Sequence, residues 1–166
     1  MEKKYELTDE ILEVGGHVLH RIKALRDFGN VKKGDIGGWI ECEDNLSHDD
    51  DCWVYDEATI CDNATICDNA TVWDNATVRG EATVWDNATI CGEATVENKS
   101  DYIVFKNWWS SGRYFTWTRS NDMWSVGCFY GTGEELIKKA YNDSDESGRE
   151  YERIVKYVES IKQEFK

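Results

Sequence analysis

From Val54 to Val96 a β-branched residue returns at every sixth position, at Val54, Ile60, Ile66, Val72, Val78, Val84, Ile90 and Val96, and the register never slips. Two residues ahead of each, after the first, stands an alanine: Ala58, Ala64, Ala70, Ala76, Ala82, Ala88 and Ala94. Side chains two apart point to the same side of an extended chain. Each hexad therefore offers one branched and one small side chain to a common interior, whereas a helix would scatter them around its circumference. The residues that follow, Asp or Gly and then Asn or Glu, suit a corner. A unit this short cannot bury its apolar side alone, so stacked coils must supply the core.

This pattern resembles the hexapeptide-repeat, left-handed parallel β-helix proteins, whose coils are triangular prisms of three hexads. The left hand is implied by the resemblance; the general rule for crossovers favours the opposite one. With three hexads per coil, Val54 stacks on Val72 and Ile90, Ile60 on Val78 and Val96, and Ile66 on Val84. Thr59, Thr77 and Thr95 then form an outward ladder. Ile40 and Leu46 keep the six-residue step, but Leu46 to Val54 is two residues longer, which makes His48–Asp51 a bulging loop between coils. The stretch Arg26–Ile40, continuing through Glu41–Ser47 to Cys52–Asp56, is similar to hexapeptide-repeat proteins found in bacteriophages and prophages. That likeness covers roughly the first two thirds of the chain.

The expected fold class is mainly β. Residues 1–39 form an N-terminal cap, a β-hairpin from Glu10–Val14 and His17–Leu25 around Gly15-Gly16, since adjacent glycines disfavour the competing helix. Residues 40–98 form the short left-handed β-helix of about three coils, each about 4.8 Å tall. Residues 99–166 form a small antiparallel sheet with two helices. Strands are expected at Tyr102–Trp109, Arg113–Arg119 and Trp124–Tyr130. Capping boxes at Thr132–Glu135 and Ser147–Glu150 open helices, the second presenting Tyr151, Ile154, Val158, Ile161 and Phe165 on one face.

The formal charge is −14, and all of it lies in the middle of the chain: residues 41–97 carry fifteen acids against Arg79 alone, while the flanking segments balance. Such a surface repels duplex nucleic acid and membranes. No stretch reaches the ~18 apolar residues of a membrane span, and the N-terminal residues lack a secretory signal. The expectation is a cytoplasmic protein, in the host cell if phage-encoded, with its six cysteines reduced. Their spacing suits neither a disulfide framework nor a zinc site.

Many proteins with this β-helix are trimeric acyltransferases, which use a coil histidine as general base and a cleft between subunits for coenzyme A or another acyl carrier. Here the coils from Val54 to Val96 hold no histidine; His17, His20 and His48 all precede them. The recurring Asp62, Asp68, Asp74 and Asp86 read as architecture, and the histidines as surface or cap positions. Acyl transfer is therefore the third reading, with no catalytic residue, metal or cofactor assigned.

The first reading is non-enzymatic binding. Between Tyr102 and Asn121 there is no acidic residue, yet Lys106, Arg113 and Arg119 are interleaved with Trp108, Trp109, Tyr114, Phe115 and Trp117. Aromatic faces and guanidinium groups suit a nucleobase and a phosphate. Lys106, Trp109, Arg113, Trp117 and Arg119 are thus the candidate contacts for a small nucleotide-like ligand, such as a host immune signal captured in counter-defence. On strict alternation Arg113, Phe115, Trp117 and Arg119 share a side. The same aromatics equally suit the core of a small sheet. A second reading makes the Asp-rich coils a nucleic-acid mimic that inhibits a host protein. Trp73 and Trp85 stand outward in columns that need a cover, from the terminal helices or from another subunit of a homo-oligomer.

Overall fold

A computed structural model describes residues 2–165. Strands β1 (Tyr5–Val14) and β2 (His17–Ala24) pair antiparallel about Gly15 and Gly16, whose φ of 59° and 89° are what a two-residue hairpin turn requires. The first strand begins at Tyr5, ahead of the expected Glu10. Strand β3 (Ile36–Ile40) pairs antiparallel with β2 on one edge. On its other edge it starts the prism.

Eight two-residue strands follow at six-residue intervals: β4 (Trp53–Val54), β5 (Thr59–Ile60), β6 (Thr65–Ile66), β7 (Thr71–Val72), β8 (Thr77–Val78), β9 (Thr83–Val84), β10 (Thr89–Ile90) and β11 (Thr95–Val96). They stack in three parallel columns, β3-β5-β8-β11, β4-β7-β10 and β6-β9, giving the three faces of a left-handed β-helix. Val54 pairs in register with Val72 and Val72 with Ile90, Ile60 with Val78 and Val78 with Val96, and Ile66 with Val84, as the repeat requires. Ile40 stacks on Ile60 and Leu46 bridges to Ile66, each offset lengthened by the His48–Asp51 loop. Every alanine and aliphatic of the repeat is fully buried in one core.

The corners explain the acidic repeat. Asp56, Asp62, Asp68, Asp74 and Asp86 have φ between 52° and 59°, and Gly80 and Gly92 take the same place at 68°. Only Gly, Asn and Asp enter this left-handed region readily. Four of these carboxylates also reach the next coil: Asp56 Oδ2 accepts from the Asp74 amide at 3.3 Å, Asp62 Oδ2 from the Gly80 amide at 3.0 Å, Asp68 Oδ2 from Asp86 at 3.0 Å, and Asp74 Oδ2 from Gly92 at 2.8 Å. The aspartates are therefore rungs of the scaffold, which accounts for much of the negative charge. At the base of the prism Gly38 lets backbones meet, because a Cβ there would lie 2.6 Å from the Ala58 carbonyl oxygen.

After the last coil, β12 (Tyr102–Lys106), β13 (Tyr114–Thr118), β14 (Met123–Val126) and β15 (Phe129–Gly131) form a four-stranded antiparallel meander. Its first strand ends at Lys106, three residues early, and the third expected strand is two, because Gly127 at φ 57° turns the chain. One face packs on α1 (Gly133–Asp143) and α2 (Asp145–Ile161) through Phe115, Trp117, Trp124, Leu136, Tyr151, Val155 and Val158. Thr132 caps α1 as expected, its hydroxyl accepting from the Glu135 amide and Glu135 Oε2 accepting from the Thr132 amide at 2.8 Å. The second helix instead starts on Ser144, whose hydroxyl accepts from the Ser147 amide. Val155, rather than Ile154, is its buried centre.

The other face closes the prism. The final coil leaves upward-pointing backbone groups with no further strand, and side chains take them: Thr116 Oγ1 accepts from the Thr89 amide at 3.0 Å, Ser120 Oγ from the Thr95 amide at 2.8 Å, and the Tyr102 hydroxyl donates to the Thr83 carbonyl at 3.0 Å. Thr116 is 1% exposed. Thr116→Val, which keeps the shape but removes the acceptor, is expected to cost about 1–3 kcal/mol for the stranded amide, read as a lowered thermal midpoint. Among the described residues no helix is long and apolar enough to cross a membrane.

Candidate functional site

The five aromatic and basic candidates do not converge. Trp117 is 1% exposed, donates from Nε1 to Asp122 Oδ1 at 2.8 Å, and stacks on Phe165. Trp109 is half-buried, its Nε1 on the Ser147 hydroxyl at 3.1 Å and its ring edge-on to Tyr151. Arg119 sits over the Phe165 ring and faces Asp101 at 3.5 Å. Arg113 is exposed at a depression of about 270 Å³ that Asn107, Lys139 and Tyr151 also line. Lys106 lies across from Tyr114 on the opposite, prism-facing side. The side shared by Phe115 and Trp117 is the one the helices cover, so their rings serve the core.

The two tryptophan columns lie in different surroundings. Tyr55 and Trp73 stack at 3.5 Å, and the β14–β15 hairpin lies over that column, with the Tyr130 hydroxyl packed against Gly92. Trp85 on the β6–β9 face stays 54% exposed. The terminal helices cover neither, because they are occupied by the small sheet.

A different group of side chains does converge. The Gly15-Gly16 turn swings His17, the first residue of β2, against the corner that follows β5. There His17 Nδ1 lies 3.0 Å from Glu41 Oε1, and Nε2 lies 3.4 Å from Asp62 Oδ1. Cys61 lies beside them, 5% exposed, beneath Leu19 and Trp39. Both carboxylates are fixed by their second oxygens: Glu41 Oε2 accepts from the Asp62 amide at 2.7 Å, taking the part that a corner aspartate plays in later coils, and Asp62 Oδ2 holds Gly80. Arg79, one coil above, is engaged by Glu97, Nε to Oε1 at 2.6 Å. Among the described residues, the imidazole is the group seated between these two carboxylates.

The electrostatics follow from this geometry. The Glu41 hydrogen bond raises the His17 pKa above the ordinary imidazole value, and the Asp62 charge adds to it. Glu41 is correspondingly held below the usual carboxylate range, first by His17 and then by the Asp62 amide. Burial, reinforced by Asp62 and Glu41, pushes the Cys61 thiol up to about 11. Glu41 thus orients the ring through Nδ1 and leaves Nε2 toward solvent and Asp62, the arrangement of an oriented imidazole base.

The remaining histidines are structural. His48 accepts from the Lys4 amide at 3.1 Å and stacks on Tyr5, while His20 Nδ1 meets the Thr8 carbonyl at 3.3 Å. From sequence alone His17 falls in the same class, because its partners come from other elements. Glu41 is 24 residues away. The signal within reach was the corner itself: Cys61-Asp62 is where the hairpin's turn end must land once β2, β3 and β5 are neighbours.

No protein-family model matches the chain. Over 40 residues it is 42% identical to a protein of Escherichia coli (strain K12) named "Uncharacterized acetyltransferase YdcK", a match spanning 24% of this chain and 12% of that protein. This similarity corrects the expectation of a non-enzymatic protein, whether one that captures a nucleotide-like ligand or one that mimics nucleic acid. It likewise points away from the bacteriophage and counter-defence association, toward a relative named for acetyl transfer. The dispersal of Lys106, Trp109, Arg113, Trp117 and Arg119 gives the physical side of the correction: two of the rings that were to stack on a base are held in the sheet–helix core.

Proposed function

We propose that the chain takes part in acyl transfer from a thioester to a hydroxyl or amine, with His17 as the proton acceptor and Glu41 as the residue that positions it. The carrying observation is the Glu41–His17 pair at a coil corner of a left-handed β-helix. The similarity to a protein named as an acetyltransferase supports the same reaction class.

On this reading the acceptor's O–H or N–H gives its proton to Nε2 as its oxygen or nitrogen bonds to the acyl carbon. The C–S bond then breaks, and the departing thiolate takes the proton from the imidazolium. Glu41 keeps Nδ1 protonated and stabilises the charge that forms. The acyltransferases that this fold resembles are trimers with clefts between subunits, so self-association belongs to the reading. The exposed Trp85, beside a depression of about 660 Å³ lined by Glu81, Thr83 and Lys99, is the surface offered for it.

The test is thiol release from acetyl-coenzyme A by the purified chain against a panel of hydroxyl and amine acceptors. Turnover that His17→Gln removes is the expected result. Turnover equal in wild type and variant, or none with any acceptor, overturns the assignment.

A further inference from the structure

The acyl-transfer reading leaves one nearby group unused, the sheltered Cys61 thiol. We propose that the corner where β2 meets the first coil binds a zinc-class divalent cation through His17 Nε2, Cys61 Sγ and Asp62 Oδ1, with Glu41 orienting the imidazole.

One donor atom from each of His17, Glu41, Cys61 and Asp62 lies within 4.8 Å of all the others. Donors on neighbouring vertices of a tetrahedral zinc, with bonds of about 2.0–2.2 Å, stand roughly 3.4 Å apart. Nε2 and Oδ1 are 3.4 Å apart. That is long for a hydrogen bond and right for two ligands of one ion. The Glu41 contact to Nδ1 at 3.0 Å is the carboxylate–histidine support that fixes the tautomer and raises the basicity of a metal-bound imidazole.

Donor chemistry selects the ion. Nitrogen, thiolate sulfur and a single carboxylate oxygen suit zinc, whereas calcium and magnesium take oxygen sets. Three protein donors leave a fourth vertex for water or another ligand. The coil corner is held by the hydrogen bonds of Asp62 to Glu41 and Gly80, and the strand end by the pairing of His17 with Val14, so little has to move. The corners at Asp68, Asp74 and Asp86 repeat the backbone conformation, but among the described residues only the His17 corner gathers such a donor set, so they serve as internal controls.

A cation here would occupy Nε2 and stop it accepting a proton. Binding stands on the geometry alone, while inhibition rests on the acyl-transfer reading.

The experiment titrates the full reduced chain with Co²⁺ and then Zn²⁺. The expected result is one Co²⁺ per chain, with thiolate-to-cobalt charge-transfer absorption that Zn²⁺ abolishes. Cys61→Ser removes that absorption, His17→Gln and Asp62→Asn weaken binding, and Glu41→Gln weakens it roughly 10- to 100-fold. Asp86→Asn leaves it unchanged. Asparagine keeps both an acceptor and tolerance of positive φ at residue 62, and thermal melts confirm that each variant folds. Absence of the charge-transfer band, or zinc binding equal in wild type, Cys61→Ser and His17→Gln, overturns the site. If zinc binds but zinc-free protein transfers no acyl group, the metal site stands and the acyl-transfer reading falls. If zinc does not bind while His17→Gln still removes transfer, the reverse holds.

Discussion

Val78→Asp is expected to leave no cooperatively folded protein, whereas Thr83→Asp, one hexad on and on the outside, is expected to fold. Val78 is fully buried between Ile60 below and Val96 above. A carboxylate there has no donor within a shaft lined by alanine and aliphatic side chains, so it must either stay ionised without a partner or bind a proton at neutral pH. Either outcome places the cost above about 4 kcal/mol, at the extreme for single substitutions. The whole stability of a domain is only about 5–15 kcal/mol. Thr83 is exposed between buried Ala82 and Val84, and aspartate at that position gives up at most about 1 kcal/mol of strand preference. Circular dichroism melts of the two variants therefore test the inward–outward alternation directly. Loss of folding in Thr83→Asp with survival of Val78→Asp would invert the prism.

The second large effect concerns chemistry. His17→Gln should lower acyl-transfer turnover by roughly 10²- to 10⁴-fold, the usual contribution of a positioned general base. The KM for the acceptor should change little, since glutamine fills similar space. Glu41→Gln should cost less, because it leaves the imidazole in place but weakens the hold on its Nδ1 proton. His20→Gln and His48→Gln supply the comparison. Both rings contact backbone groups away from the Glu41 corner, so these variants should keep wild-type turnover, with His48→Gln losing stability through its Lys4 and Tyr5 contacts. Turnover that falls equally in all three variants would mean a loss of fold rather than of a base.

Much of the scaffold could be read directly from residue order, because its determinants are local and periodic. The parity of Ala76 and Val78, the fixed step to the next aliphatic, and an Asp or Gly where φ turns positive are all written within one hexad. The small sheet was harder. Trp124–Tyr130 looks continuous by composition, and only the glycine at 127 divides it. The helix start moved from Ser147 to Ser144 because the earlier serine brings Asp145 and Glu146 into the first turn, where the helix dipole favours acids. The site was least legible. Arg113, Trp117 and their neighbours gave a strong compositional signal that the covering helices turned into core, whereas His17, Glu41 and Cys61-Asp62 carry no local signature. They become a site only when the β1–β2 hairpin extends the sheet that β3 begins.

The plugs at the two ends of the prism carry an architectural consequence. Neither the Thr116–Ser120 hydroxyls above nor the hairpin below depends on how many coils lie between, because each binds only the last layer it meets. Inserting one full turn of three hexads would lengthen the shaft by about 4.8 Å and carry the aromatic sheet away from the histidine corner without altering either. The gap between those two ends is thus a gauge set by gene length, adjustable in fixed steps while the parts at both ends remain the same.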